Sequence, residues 1–324
     1  MWDFSAGTAI WLMARTLPYL LLRLALYFAI TFAYIVATGT GAAIGYTLGL
    51  AGSDDFQAQA TIFGGLIGFG LVGGIVYFLR EYMLYMVKAG HIAVMTELLS
   101  GRGIPAGQGQ FAFGAATVKE RFAEANALFV LDQLIKGTVH AVTSLLLAVT
   151  SILPIPALQG LARFAATVIR ISVTYVDEVI LARNIRLRSQ NPWETSRQGL
   201  VLYAQNGWVM VRNAIWLAIL SWIVTIAVFV LMIAPAGAIL YYFPGPWGGY
   251  GFVAAIVFAW GFRKALVEPF GIACLMQVYF AVSENQRPDP EWDGRLMQAS
   301  AKFRSLAERA RVAMGLGGAA AREA

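Results

Sequence analysis

Asp132, Lys136 and His140 recur every four residues, so on a helix they share one face. Further along, Arg163, Arg170 and Asp177 recur at heptad spacing, with Glu178 beside the last of them. Between the two sets stands Pro154-Ile155-Pro156, a helix breaker at which the chain can fold back. Folding there sets Lys136 opposite Tyr175, within reach of Asp177 and Glu178, and sets His140 beside Arg170. Carboxylates, a lysine and a histidine in facing stripes can hold a cation, relay a proton or neutralise one another. The flanking sequence is apolar, and a charge placed in lipid costs about 2.5–3.5 kcal/mol. The stripes must therefore face protein or water. Two geometries satisfy that. The hairpin crosses the bilayer with its polar face on a water-filled path, or it stays shallow and keeps its charges near the headgroups. The apolar run before the prolines, Val142–Leu153, spans roughly 18 Å as helix, short of a core of about 30 Å.

A second candidate is Glu268, beside Pro269, where a helix must break and where transporter sites often form. Lys264 lies one turn before it, so a plain ion pair explains the same residue. Tyr203, Trp216, Trp222 and Trp260 have the residue types of a cation-binding aromatic box, although packing or an interfacial position accounts for them equally. The glycine-rich stretch Ser100–Gln110 lacks the lysine ending of a phosphate loop and follows a helix, so it reads as a helix stop capped by Gly101. One cysteine, Cys274, and two histidines, His91 and His140, exclude an intramolecular disulfide and a Cys/His zinc cluster. No catalytic motif or constellation is present. The expectation is a protein without catalytic residue, metal or cofactor.

The elements that position these residues belong in a membrane. Hydrophobic residues make up 59% of the 324, charged residues only 13%, and mean hydropathy is +0.65. Soluble domains are about 25% charged. The composition predicts an all-α polytopic fold with four clear transmembrane helices plus the central hairpin, re-entrant or crossing. The boundaries read as follows: residues 1–87 form a glycine-rich first transmembrane hairpin, 88–125 a cytoplasmic helical loop, and 126–185 the polar-faced hairpin. Residues 186–207 form a cytoplasmic amphipathic linker, 208–282 a C-terminal transmembrane pair, and 283–324 a cytoplasmic tail.

The first span runs from Leu17 to about Leu50 and is too long for a signal peptide. The second runs from about Ala60 to Val87. Gly41, Gly45 and Gly49 in the first, with Gly64, Gly68, Gly70 and Gly74 in the second, make small-residue ridges that let helices approach closely. They serve packing within the chain or a dimer face. The last span is too long for one crossing, so its lower half should kink at Pro269 and project into the cytoplasm. The tail, Glu291–Met314, reads as one amphipathic helix for lipid or for the protein's own cytoplasmic surface. Three loops, Ala51–Gln59, Pro154–Pro156 and Tyr241–Tyr250, carry no lysine or arginine, while the alternate side carries many. Both termini are therefore expected in the cytoplasm. Arginine outnumbers lysine 19 to 5, a hint of a GC-rich genome and so of a bacterial inner membrane.

From about Ala125 onward the order of features resembles the C-terminal half of the choline transporter-like family. Tyr175-Val-Asp-Glu178 ends a segment, a short basic loop follows, and Ser196–Asn206 is similar to that family's amphipathic helix before a penultimate span. Val211-Arg-Asn213 enters the span, and Gln277–Glu284 ends the last helix. That family has more spans and a large extracellular loop, which this chain lacks. The leading reading is permeation of a small cation, inorganic or, as the resemblance implies, choline-like; on the residues' own pattern Asp132, Asp177, Glu178 and Glu268 would face it. The rival reading is a non-transporting scaffold or assembly factor that binds a partner through its cytoplasmic loop and tail. The expected partners are membrane lipids and a second copy or a membrane protein; nucleic acid is not among them.

Overall fold

A computed structural model of the chain describes residues 2–79, 84–122, 130–139, 175–242 and 258–315. Among them every regular element is helical. In chain order they are α1 (Ala6–Arg15), α2 (Leu17–Gly49), α3 (Asp54–Leu79), α4 (Tyr85–Leu99), α5 (Gln110–Phe122) and α6 (130–139). Then come α7 (Val176–Arg186), α8 (Pro192–Gln205), α9 (Gly207–Tyr242), α10 (Phe258–Ser283), α11 (Pro290–Ala299) and α12 (Ala301–Ala313). Four stretches are long and apolar enough to cross a membrane: Leu17–Gly49, Asp54–Val76, Gly207–Ile233 and Phe258–Ser283. This is an all-α polytopic membrane protein.

The chain divides into two compact units. One holds Pro18–Lys88 and Ile223–Glu268; the other holds Met1–Leu17, Ala89–Trp222 and Pro269–Ala324. In the first unit α2 and α3 pair antiparallel through their small residues. A Cβ built on Gly41 would lie 2.1 Å from the Gly64 carbonyl oxygen, on Gly45 2.0 Å from that of Ala60, and on Gly68 2.0 Å from that of Ala37. On Gly49 it would meet the Cα of Gln57 at 2.5 Å. Only glycine allows such approach, and the backbones touch. Gly70 and Gly74 differ: nothing lies within 4 Å of a Cβ there, so they take no part in the α2–α3 contact. The second helix begins at Asp54, earlier than the apolar run suggests. Ser53 Oγ accepts the Phe56 N–H, and Asp54 and Asp55 complement the helix N-terminus.

The second unit has a dense core that hydropathy alone does not announce. Nine consecutive residues of α4, Ala89–Glu97, are buried, so α4 is a core helix of this unit. It stops as expected: Gly101 adopts φ +72°, its N–H bonds to Leu98 O, and the Arg102 N–H bonds to Glu97 O. Helix α8 buries Gly199–Ala204 without interruption. Tyr279 of α10 donates a hydrogen bond to Gly199 O at 3.1 Å, and its ring stacks on Tyr203.

In the C-terminal third the last span stays helical through Pro269. A π-helical turn, Arg263–Val267, precedes it, with the Glu268 N–H bonded to Arg263 O. Proline lacks an N–H and its ring collides with the carbonyl four residues back; the wider turn relieves both, and the helix continues. Residues Ile272–Met276 are buried core. The tail, expected as one helix, is two. Ser300 (φ −133°, ψ 115°) ends α11 and begins α12, with its Oγ accepting the Phe303 N–H. Phe303, Leu306 and Ala310 are buried, and α12 lies on α8, fastened by Asn191 donating to Ala310 O and by Arg309 over Trp193. Arg197 links Glu194 to Asp293 of α11.

Candidate functional site

Two ionic clusters carry the chemistry, one in each unit. The first is built by α6 and α7. Asp132 and Lys136 lie one turn apart on α6, and the Lys136 ammonium sits 2.6 Å from Asp132 Oδ2. Asp177 opens α7, and its Oδ2 is 3.9 Å from the same ammonium. Tyr175 offers no side-chain cap, so Asp177 and Glu178 supply the negative charge that a helix N-terminus favours. Asp132, Asp177 and Glu178 are 2%, 9% and 3% exposed, whereas the Lys136 side chain is about half exposed. Burial pushes the Asp132 carboxyl above the usual carboxylate range, against the hydrogen bond and charge of Lys136 and the contact with Asp177. Asp132 Oδ1 is enclosed without a hydrogen-bond partner. The stem of Lys302 crosses α6 at Gly137, where a Cβ would meet its Cγ at 2.6 Å. His140, Arg163, Arg170 and the turn at Pro154–Pro156 lie outside the described residues, and with them the depth of the hairpin.

The second cluster surrounds Glu268. Arg23 Nη2 of α2 donates to Glu268 Oε1 at 3.0 Å, and Lys264 Nζ reaches Oε2 at 2.9 Å. Lys88 Nζ lies 3.6 Å from Oε1. Arg23 Nη2 also donates to Lys264 O at 3.1 Å, which ties α2 to the π-helical turn. That turn places Lys264 and Glu268 one above the other while keeping the carboxylate inside. Arg23 is 3% exposed and Glu268 8%. One carboxylate thus meets three cations.

The pairing of Lys136 with Asp177 and of Lys264 with Glu268 follows the spacing read from the sequence. Arg23 and Lys88 were not anticipated at Glu268. A signal was present: Arg23 is a lone charge in an apolar run and needs a carboxylate, and the spans offer Glu268 alone away from the 51–59 loop. The four aromatic candidates have other partners. Tyr203 stacks on Tyr279, Trp216 meets Trp2 edge-on, Trp260 meets Tyr27, and Trp222 is 57% exposed. No box forms from them. Among the described residues no group of three His, Cys, Asp or Glu has the geometry to hold a metal ion.

No protein-family model, curated protein or solved structure matches the chain. Fold and clusters together define a class: a polytopic α-helical membrane protein with a compact helical unit formed by Met1–Leu17, Ala89–Trp222 and Pro269–Ala324.

Proposed function

We propose that this protein is a non-transporting membrane scaffold or assembly factor, which holds a compact helical unit at the membrane for a partner protein. The observation that carries this reading is the state of Glu268. A carboxylate meant to receive a cation should be open to one, but Glu268 is enclosed and already meets Arg23, Lys264 and Lys88. An incoming cation would meet repulsion there. The folded loop, linker and tail agree with this. On this reading the chain carries out no catalysis, both termini are cytoplasmic, the membrane is a bacterial inner membrane, and the partner is a second copy or another membrane protein. The test is extraction into polymer nanodiscs directly from the native membrane, followed by mass measurement and peptide identification. A second polypeptide, or a second copy, in fixed stoichiometry with the 35.2 kDa chain is expected. A lone chain at native expression would contradict the scaffold.

A second reading keeps one observation on its side. Asp132, Asp177 and Glu178 are three buried carboxylates, and Lys136 pairs with the first two. Such a group would serve a transporter or channel for a small cation, inorganic or choline-like as the family resemblance implies. The flux measurement that closes the Discussion decides between the two.

A further inference from the structure

Helix α1 is apolar on both faces. Ala9, Leu12 and Thr16 point inward and are fully buried. The opposite stripe, Gly7, Ile10, Trp11 and Ala14, is exposed, with Ile10 at 61% and Trp11 at 47%. Just past the helix end Leu17 is 50% exposed, and the first candidate span begins with it. A helix that is apolar all round needs a cover on its outer side.

This face is not the accident of a loose terminus. A ten-residue helix is marginal alone in water, but α1 is fixed at both ends. The Asp3 N–H donates to Asn213 Oδ1 at 2.7 Å, and Asn213 Nδ2 donates back to Asp3 Oδ2 at 2.7 Å. The Ser5 N–H donates to Gln277 Oε1, and Ser5 Oγ caps the helix by accepting the Thr8 N–H. At the far end Thr16 Oγ1 is 2.9 Å from His91 Nε2, and Gln110 Nε2 donates to Arg15 O. The buried stripe and these bonds leave Ile10 and Trp11 aimed outward.

We infer that α1 lies in the plane of the membrane interface, with Ile10 and Trp11 inserted at the boundary between headgroups and acyl chains. The cover is lipid because the first candidate membrane span, Leu17–Gly49, begins two residues after α1 ends. Tryptophan favours that level of the bilayer, apolar body inward and indole N–H toward water. Trp2 and Trp208, exposed by 48% and 74%, stand on the segments that α1 is fastened to. Arg15, over the Trp11 ring at 5.9 Å, supplies a cation at the height of lipid phosphates.

The test places a nitroxide at Ile10→Cys or Trp11→Cys. The protein is held in nanodiscs of phosphatidylcholine and phosphatidylglycerol, and spin-label accessibility is read with oxygen and with a water-soluble nickel chelate. Cys274 is fully buried, so unmutated protein serves as the blank. At both positions oxygen should dominate, with depth about 5–10 Å below the phosphates, while Ser305→Cys on α12 should report water. Nickel dominance at both positions would mean that α1 is in water, and exclusion of both reagents would mean that protein covers it. Either result overturns the inference.

Discussion

Replacing Glu268 by glutamine removes one charge and little volume, so its effect reports the ionic cluster almost alone. The carboxylate accepts from Arg23 at 3.0 Å and from Lys264 at 2.9 Å, and lies 3.6 Å from Lys88. Breaking a buried ion pair from one side costs about 3–5 kcal/mol, because the other charge is left without compensation. The two lysines soften this: their side chains are 22% and 33% exposed and can turn toward water. Arg23, at 4% for its side chain, cannot. The lower end, about 3 kcal/mol, is therefore expected. At about 2 °C per kcal/mol, the value for larger domains, the apparent melting temperature of Glu268→Gln should fall by about 6 °C. Tryptophan fluorescence of nanodisc-embedded protein at one fixed scan rate reads this without assuming reversibility. Adding Arg23→Met removes the stranded guanidinium and should recover at least half of the loss. A Glu268→Gln protein within 1 °C of wild type would refute the reasoning. So would a double variant no more stable than the single one, since Arg23 would then not be the stranded partner.

Gly45→Val should destabilise by about 2–3 kcal/mol, because its Cβ would lie 2.0 Å from a backbone oxygen that cannot move alone; Gly70→Ala and Gly74→Ala should stay within about 0.5 kcal/mol, and melting curves of the three compare them directly. Glu194 is held below the usual carboxylate range: burial pushes it up, but hydrogen bonds from Arg197 and Gln198 outweigh that. Its stabilising increment is therefore present above a pH of about 4.3, the unfolded value, and is lost as pH falls through the lower folded value. The melting difference between wild type and Glu194→Gln should accordingly shrink between pH 7 and pH 3, and a constant difference would count against it. Reporter fusions at Asp54 and Gly245 should read as periplasmic and fusions at Arg102 and the tail as cytoplasmic; an inside reading at Gly245 would reverse the topology.

What the sequence made legible is what local pattern encodes. Apolar runs located the four spans, and glycine at every fourth residue of α2 located its contact with α3, since both signals need only one helix to be visible. Charge spacing set Lys136 beside Asp177, and the two lie 3.9 Å apart. The rest depends on partners far along the chain. Arg23 and Glu268 are 245 residues apart, and no spacing rule connects them. Gly70 and Gly74 have the same spacing as Gly64 and Gly68, yet α3 turns them away from α2. Ala89–Glu97 looks unremarkable in hydropathy because Lys88, His91 and Glu97 dilute it, although in the fold their neighbours cover the whole stretch. Ser300 breaks the tail inside a continuous heptad pattern because the hydroxyl offers the backbone a cap in place of a helical bond. Helix α1 was hidden for a related reason: Arg15 and Thr16 separate it from the first span, and its outward apolar face acquires meaning only once the inward one is known.

The decisive measurement is cation flux in proteoliposomes, with melting temperature taken on the same sample, for wild type and for Asp177→Asn with Glu178→Gln. If the buried carboxylates serve the fold, wild type passes choline, small amines, sodium and protons no faster than empty liposomes. The double variant then melts lower, because Lys136 loses one of the two carboxylates it meets. Flux in wild type that disappears in a variant of unchanged melting temperature would contradict the account and make the α6–α7 cluster a cation path.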